Sequence, residues 1–213
     1  MIENKILLSI LIPNTLDRKE IIKPLIGELS GQTGIMNYWL YESKHLINEG
    51  RNNSVQVIVF TDDKTLTIGE KRELMYGMAQ GQYSWQIDSD DSIAPNAIEL
   101  ILEAIRSNPE IPCITFREKC MINGEYKSSN HSILYSQWMD NQDGYSYVRC
   151  PFYKDVIRTD IAKSVPFPHI RYNEDEQWSM AIKPFLNDEI HIEEEIYYYN
   201  YEPKDTHAER YGF

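Results

Sequence analysis

A chain of 213 residues, 42% hydrophobic and 12% aromatic, has the composition of a globular protein, which excludes a disordered or fibrous polypeptide. That length buries a sizeable core without disulfide or metal staples. The formal net charge of −12 excludes a protein that merely coats nucleic acid or anionic membrane, since either task needs a basic surface, although a local basic groove remains open.

In chain order, Lys5 to Asn14 is a near-continuous apolar run ended by Pro13. It is too short for a membrane span and lacks a small-residue cleavage site, so a strand buried on both faces is expected. Ile21, Ile22, Leu25, Ile26 and Leu29 then fall at helical spacing up to Gly31, with Pro24 calling for a kink or a later start. The pattern predicts a second helix over Asn37 to Asn48. A strand follows over Val55 to Phe60 and runs into Thr61-Asp62-Asp63. Gly69 to Arg72 opens a helix whose apolar face is Leu74, Met75, Met78 and Ala79, with Gly81 as its cap. Tyr83, Trp85 and Ile87 mark a strand that ends in Asp88, Asp90 and Asp91, and Pro95 begins a helix carrying Ile98, Ile101, Leu102 and Ile105. Alternating strands and helices up to Asn108 are the signature of a doubly wound α/β sheet.

Beyond Pro109 the chain is richer in aromatic and strand-like segments. Cys113 to Phe116 reads as a strand, Asn123-Gly124 as a hairpin turn, and Ser132 to Trp138 as a further strand. A short helical piece lies between Lys154 and Pro168, a helix beginning with acids spans Asn173 to Ile182, and Glu189 to Tyr201 is a tyrosine-rich strand. A polar tail containing His207 follows. Cys113, Cys120 and Cys150 form no CxxC pair and are expected to be reduced thiols of a soluble, cytoplasmic protein with no transmembrane segment.

The acidic stretch Asp88-Ser89-Asp90-Asp91 organises this pattern. It leaves a strand at the carboxyl edge of the expected sheet, where open α/β folds bind ligands. Three carboxylates crowded there repel one another unless a cation or a donor-rich ligand sits between them. Hard oxygen ligands suit Mg²⁺ or Mn²⁺ carrying substrate phosphates, which points to a metal–diphosphate site. A solvated turn is the plainer reading. A calcium loop is set aside, because Ile93 stands where its glycine is needed and a helix begins at Pro95. Lys71 and Arg72 open a helix, where the dipole disfavours cations, so an anion nearby is expected unless surface acids pair with them.

Ile68-Gly69-Glu70-Lys71-Arg72, then Ala79-Gln80-Gly81-Gln82-Tyr83, then the strand ending in Asp88-Ser89-Asp90-Asp91, resemble the centre of family 2 glycosyltransferases of the GT-A fold. Pro13 with Arg18, the pair Asp62-Asp63, and Asn173-Glu174-Asp175-Glu176-Gln177-Trp178 fit the same template, the last resembling the family's late "ED" motif. The likeness covers residues 5–108 well and the remainder in patches. Glu73 and Gln86 depart from it, which bears on donor specificity.

The resemblance implies a Rossmann-like, mostly parallel sheet flanked by helices, with a smaller antiparallel part. It implies one domain over 1–213, with a nucleotide-sugar-binding half (1–108) and an acceptor-binding half (109–213). The implied reaction is metal-dependent transfer from a nucleoside diphosphate sugar, UDP favoured, to an acceptor hydroxyl. Donor binding would fall to Pro13, Thr15, Arg18, Asp62, Asp63, Lys71, Arg72, Asp88 and Asp90, and Mn²⁺ or Mg²⁺ to Asp90, Asp91 and His207. Asp175 would be the general base of an inverting reaction, with Glu174 orienting it or binding the acceptor. Plainer readings are an Asx turn for Asp62, a helix cap for Asp91, dipole-stabilised acids for Glu174 and Asp175, and a surface side chain for His207. A glycan, a protein, a lipid-linked sugar or a modified nucleobase all remain open as acceptor. The alternatives are an idle sugar-nucleotide-binding protein of the same fold and a metal-dependent nucleotidyltransferase, whose glycine-rich loop is missing from Pro13 to Asp17.

Overall fold

β1 (Leu8–Thr15) lies between β3 (Val55–Asp62) and β4 (Tyr83–Gln86), and all three strands are parallel. The computed structural model describes residues 6–34, 46–51 and 54–201. Its two hydrophobic clusters explain the near-continuous apolar run of β1. Leu8, Ile10 and Ile12, with Val55, Val57 and Val59, pack in one layer with α1 (Lys23–Thr33) and α3 (Ala97–Ser107). Leu11, with Ile58 and Phe60, packs in the other with α2 (Ile68–Met78) and α5 (Glu174–Ile182). Both faces of the sheet are covered, so both faces of the strand are apolar.

Several boundaries differ from expectation. β1 continues past Pro13 to Thr15, because Pro13 still pairs with Phe60 in register. α1 starts late, with Pro24 in its first turn and Ile21 left half exposed, and it closes at Gly34 (φ 68°), not Gly31. Of the helix expected over Asn37 to Asn48, residues 37–45 lie outside the described residues. Residues 46–48 belong to a strand, β2 (Leu46–Arg51), antiparallel to β3.

α2 begins with a capping box, in which Thr67 Oγ1 accepts from Glu70 N (3.2 Å) and Glu70 Oε2 accepts from Thr67 N (2.7 Å). Its buried side keeps Met75 and Ala79 of the expected stripe, with Met78 packed against them, but leaves out Leu74 and adds charged residues. Leu74 is 43% exposed, while Lys71, Arg72, Met75 and Tyr76 are buried. Ala79 ends the helix, and Gly81 serves another purpose. A β-carbon there would lie 2.5 Å from Ser9 N of β1, and Gly81 N donates to Ser9 Oγ (2.8 Å). Gly81→Ala is therefore expected to cost about 1–3 kcal/mol by overpacking against backbone. Urea denaturation checks this, and an unchanged midpoint would remove the close-approach argument.

In the second half, β6 (Cys113–Ile122) and β7 (Glu125–His131) form the expected hairpin, with Asn123 (φ 53°) and Gly124 (φ 80°) both left-handed. The strand expected over Ser132 to Trp138 is not formed. The chain turns there, and the hairpin lies later, as β8 (Met139–Gln142) and β9 (Tyr145–Arg149) around Asp143-Gly144. β10 (Val156–Arg158) is inserted antiparallel between β4 and β6, and joins the halves into one sheet. α4 (Thr159–Ser164) follows it. β11 (Glu189–Tyr201) runs parallel to β6 and pairs antiparallel with β5 (Ser92–Ile93), just past the acidic turn. The main strand order is β2-β3-β1-β4-β10-β6-β7-β9-β8. Among the described residues, no helix is long and apolar enough to cross a membrane.

Candidate active site

Because β1, β3 and β4 are parallel, their carboxyl ends open on one edge, and a cleft of about 590 Å³ lies there. Pro13, Thr15 and Arg18 line it from the end of β1, Lys71 and Arg72 from α2, and Asp88 and Asp90 from the acidic turn. The opposite wall comes from the second half, where Trp138, Tyr153, Tyr172, Glu174, Asp175 and Tyr199 line it. Most of the residues singled out in the sequence thus converge on one cleft.

The three carboxylates of the turn do not share a direction. Asp88 Oδ1 accepts from Arg72 Nη2 (3.0 Å) and its Oδ2 from Tyr153 OH (2.6 Å). Against the penalty of burial, Arg72 holds this carboxyl below its usual range. Asp90 pairs with Arg18 (3.2 Å) and keeps a side chain 20% exposed to the cleft. Asp91 does not line the cleft. Its Oδ2 accepts from Tyr197 OH (2.6 Å), its Oδ1 from Asn200 N (3.2 Å), and Lys154 Nζ lies 3.6 Å away. The repulsion anticipated from sequence is answered by one cation per carboxylate: Arg72, Arg18 and Lys154.

A divalent cation consequently fits Asp90 and not Asp91. Asp91 is turned into the protein, which corrects its place in the expected ligand set, and His207 lies outside the described residues. Both oxygens of Asp88 are engaged. Among the described residues no three His, Cys, Asp or Glu side chains form a ready cage. Mg²⁺ and Mn²⁺ need none, since one carboxylate with substrate phosphates and water can complete their shell.

Arg72 joins the two walls. Its Nε donates to Glu174 Oε1 (3.2 Å), its Nη1 to Gln86 Oε1 (3.1 Å) and its Nη2 to Asp88, and the guanidinium lies 3.4 Å from the centre of the Tyr153 ring. The cation at the helix start is stabilised by the half-buried Asp88 and the buried Glu174, not by surface acids. Burial pushes the Glu174 carboxyl up, with Arg72 opposing. Asn173, in the left-handed region (φ 62°), swings the chain into α5 and sets Glu174 inward against Arg72, while Asp175 lines the cleft. Among the described residues, Asp175 Oδ1 accepts a local bond alone, from Glu176 N (2.9 Å).

Asp62 and Asp63 are not brought to the cleft wall. Asp62 is fully buried, accepting from Lys71 Nζ (2.8 Å) and Leu66 N (3.1 Å), and so holds Lys71 in place; Asp63 is exposed. Burial lowers the Lys71 ammonium. Gln86, read as an interruption of an apolar strand, is the neutral partner of Arg72, and Glu73 pairs with His169 at the surface. Tyr153, Trp138 and Lys154 were not anticipated. A glutamine in a fully buried strand was the available signal for Gln86. The others had none, since their partners are distant in sequence.

Behind the turn, Lys154 also meets Glu118 (2.7 Å), and Glu118 meets the buried His131 (3.3 Å), whose Nδ1 faces Asp155 (3.1 Å). Against the penalty of burial, Asp155 and Glu118 raise the imidazole from 6.5 to about 9. A raised base contributes stability that is complete below pH 6.5 and is lost as pH rises through about 9. Unfolding free energy is therefore expected to fall between pH 6.5 and 9. Denaturant titrations across that window check it, and a rising profile would contradict the pairing.

The comparisons with known proteins follow the same lines. A search of curated proteins gives no match. Among solved structures, Staphylococcus aureus TarS 1–349 in complex with UDP-GlcNAc superposes with a TM-score of 0.62 at 15% identity, covering 92% of this chain and 59% of that one. TarS 1–349 in complex with UDP gives 0.63 at 16%, covering 94% and 62%. The chain thus spans about three fifths of the length of these structures, and at such identity they establish its GT-A fold. The sequence model of "Glycosyl transferase family 2" matches residues 41–167, more than half of the chain, from before β3 to beyond α4. That match contains the acidic turn and the Arg72 helix that shape the cleft, and the chain belongs to glycosyl transferase family 2.

Proposed function

We propose that this chain transfers a sugar from a UDP-sugar to an acceptor hydroxyl, with inversion, using Mn²⁺ or Mg²⁺ held by Asp90. The observation that carries the reading is Arg72, which ties the acidic turn to the Glu174-Asp175 corner across a single cleft. The UDP and UDP-GlcNAc complexes of TarS support the choice of nucleotide. Residues 1–108 supply the donor wall and 109–213 the acceptor wall.

The cation, when bound, neutralises the diphosphate as it leaves. Asp90 would hold it, and Arg18, which pairs with Asp90, would then be available to the phosphates. Arg72 fixes Asp88 and Glu174. Asp175, the cleft-facing carboxylate of the acceptor wall, takes the proton of the attacking hydroxyl. Trp138 and Tyr172 offer ring faces for an acceptor. Three buried thiols suit the cytoplasm. A nucleotidyltransferase is disfavoured by the family match and by the absence of glycine between Pro13 and Asp17.

Thermal melting against a panel of sugar nucleotides, with Mn²⁺ and with chelator, tests the proposal. A UDP-sugar is expected to raise the melting temperature only when metal is present. Equal stabilisation in chelator would remove the metal, and no stabilisation by any sugar nucleotide would remove the donor reading.

A further inference from the structure

The row of buried charges behind the acidic turn takes no part in the chemistry proposed above. Lys154, 5% exposed, places its ammonium between Glu118 Oε1 (2.7 Å) and Asp91 Oδ2 (3.6 Å), over the rings of Tyr197 (4.6 Å) and Tyr199 (4.0 Å). Tyr197 is fully buried. Its hydroxyl donates to Asp91 Oδ2 (2.6 Å) and accepts from the backbone N of Asp88 (3.1 Å). Asn200 N, also on β11, donates to the other oxygen of Asp91 (3.2 Å). The Tyr197 hydroxyl, Asn200 N and the Lys154 ammonium thus all meet the turn 88–91 from behind, with Glu118 holding Lys154 from the other side.

Buried ion pairs rarely stabilise a fold more than apolar residues of the same volume would. Their best-attested use is to fix one arrangement among several. Here the arrangement is that of a four-residue turn whose neighbouring side chains must point in opposite directions, with Asp88 and Asp90 into the cleft and Asp91 away from it. A turn free to rotate by one residue would present Asp91 in place of Asp90 and bury a carboxylate without a cation.

We propose that Lys154 is a positioning residue that, through Asp91 and Tyr197, locks the acidic turn so that Asp90 faces the donor diphosphate. The proposal rests on the reading of the cleft as a donor site. It assigns Asp91 a role in orientation and adds two residues from the second half, Lys154 and Tyr197, to the donor machinery.

The test compares wild type, Lys154→Met, Lys154→Arg and Tyr197→Phe by calorimetric titration of UDP in Mn²⁺ buffer, well below each protein's melting temperature. Lys154→Met takes the cation away from the Asp91 carboxylate 3.6 Å from it, and leaving a buried charged group uncompensated corresponds to about 10–100-fold, the factor by which UDP binding is expected to weaken. Lys154→Arg, which keeps the charge, is expected to recover most of it. Tyr197→Phe removes one oxygen and keeps the ring stacked on Phe116, so it folds even where Lys154→Met does not, and it is expected to weaken binding about tenfold. A purely structural role would lower the melting temperature and leave the affinity of the folded protein unchanged. Folded variants that bind UDP as wild type does overturn this inference alone. Wild type that binds no UDP overturns the donor reading, and this one with it.

Discussion

Asp175→Ala is expected to lower transfer by about 10²–10⁴-fold, the usual worth of a positioned general base, and to leave donor affinity intact. Asp175 lines the cleft from the start of α5, and among the described residues its side chain bonds locally, accepting from Glu176 N. It touches neither the acidic turn nor Arg72 through a hydrogen bond, so its removal leaves the donor wall in place. An acid in the first turn of a helix contributes about 0.3–1 kcal/mol through the dipole, too little for its loss to unfold the protein. Asp90→Ala is expected to fail differently. It removes the carboxylate offered to the metal and leaves Arg18 unpaired with it, so metal and nucleotide binding should disappear together while the fold persists. Single-turnover transfer and UDP titration on both variants separate the two roles. If Asp175→Ala abolishes donor binding, the base assignment is wrong and the acids at 174–175 are structural.

The parallel half was legible because its physics is local. β1 and β3 are buried on both faces, so their sequences are mostly apolar, and α3 carries a regular stripe at Ile98, Ile101 and Ile105. The β8–β9 hairpin was not, because Met139–Gln142 is mostly exposed and shows no alternation, leaving Asp143-Gly144 as its only mark. α2 misled for a different reason. Hydropathy assigns Lys71 and Arg72 to the surface, whereas both are buried because Asp62, Asp88 and Glu174 meet them there. In the site, sequence supplied the acids but not their directions. Successive residues of a tight turn point different ways, so Asp88, Asp90 and Asp91 cannot all serve one ion. The hydroxyl on Asp88 comes from 65 residues away and the carboxylate on Lys154 from 36, separations that no motif spacing encodes.

Arg72→Met is expected to have the largest effect on the protein as a whole. The guanidinium is buried and meets four partners at once: Asp88, Glu174, Gln86 and the face of Tyr153. Methionine fills much of its volume and supplies none of its donors. Removing one member of a buried ion pair costs about 3–5 kcal/mol, because the remaining charge is left without compensation, and here two carboxylates are left. For a chain of this length that corresponds to a fall of about 10 °C in melting temperature. Donor binding and transfer should both collapse, since Asp88 and Glu174 lose the group that fixes them in relation to each other. Arg72→Lys is expected to recover little, because one ammonium cannot reproduce a planar fork that reaches both walls and stacks on a ring. The pH dependence distinguishes this cause from a simple packing defect. Without Arg72, the half-buried Asp88 carboxyl loses the cation that holds it low and burial of Glu174 goes unopposed, so protonating either acid favours folding at low pH. The deficit of Arg72→Met relative to wild type should therefore shrink as pH falls and the two groups take up protons. Denaturant titrations of both proteins from neutral to mildly acidic pH measure that difference, and a deficit that stays constant would place the cost in packing instead.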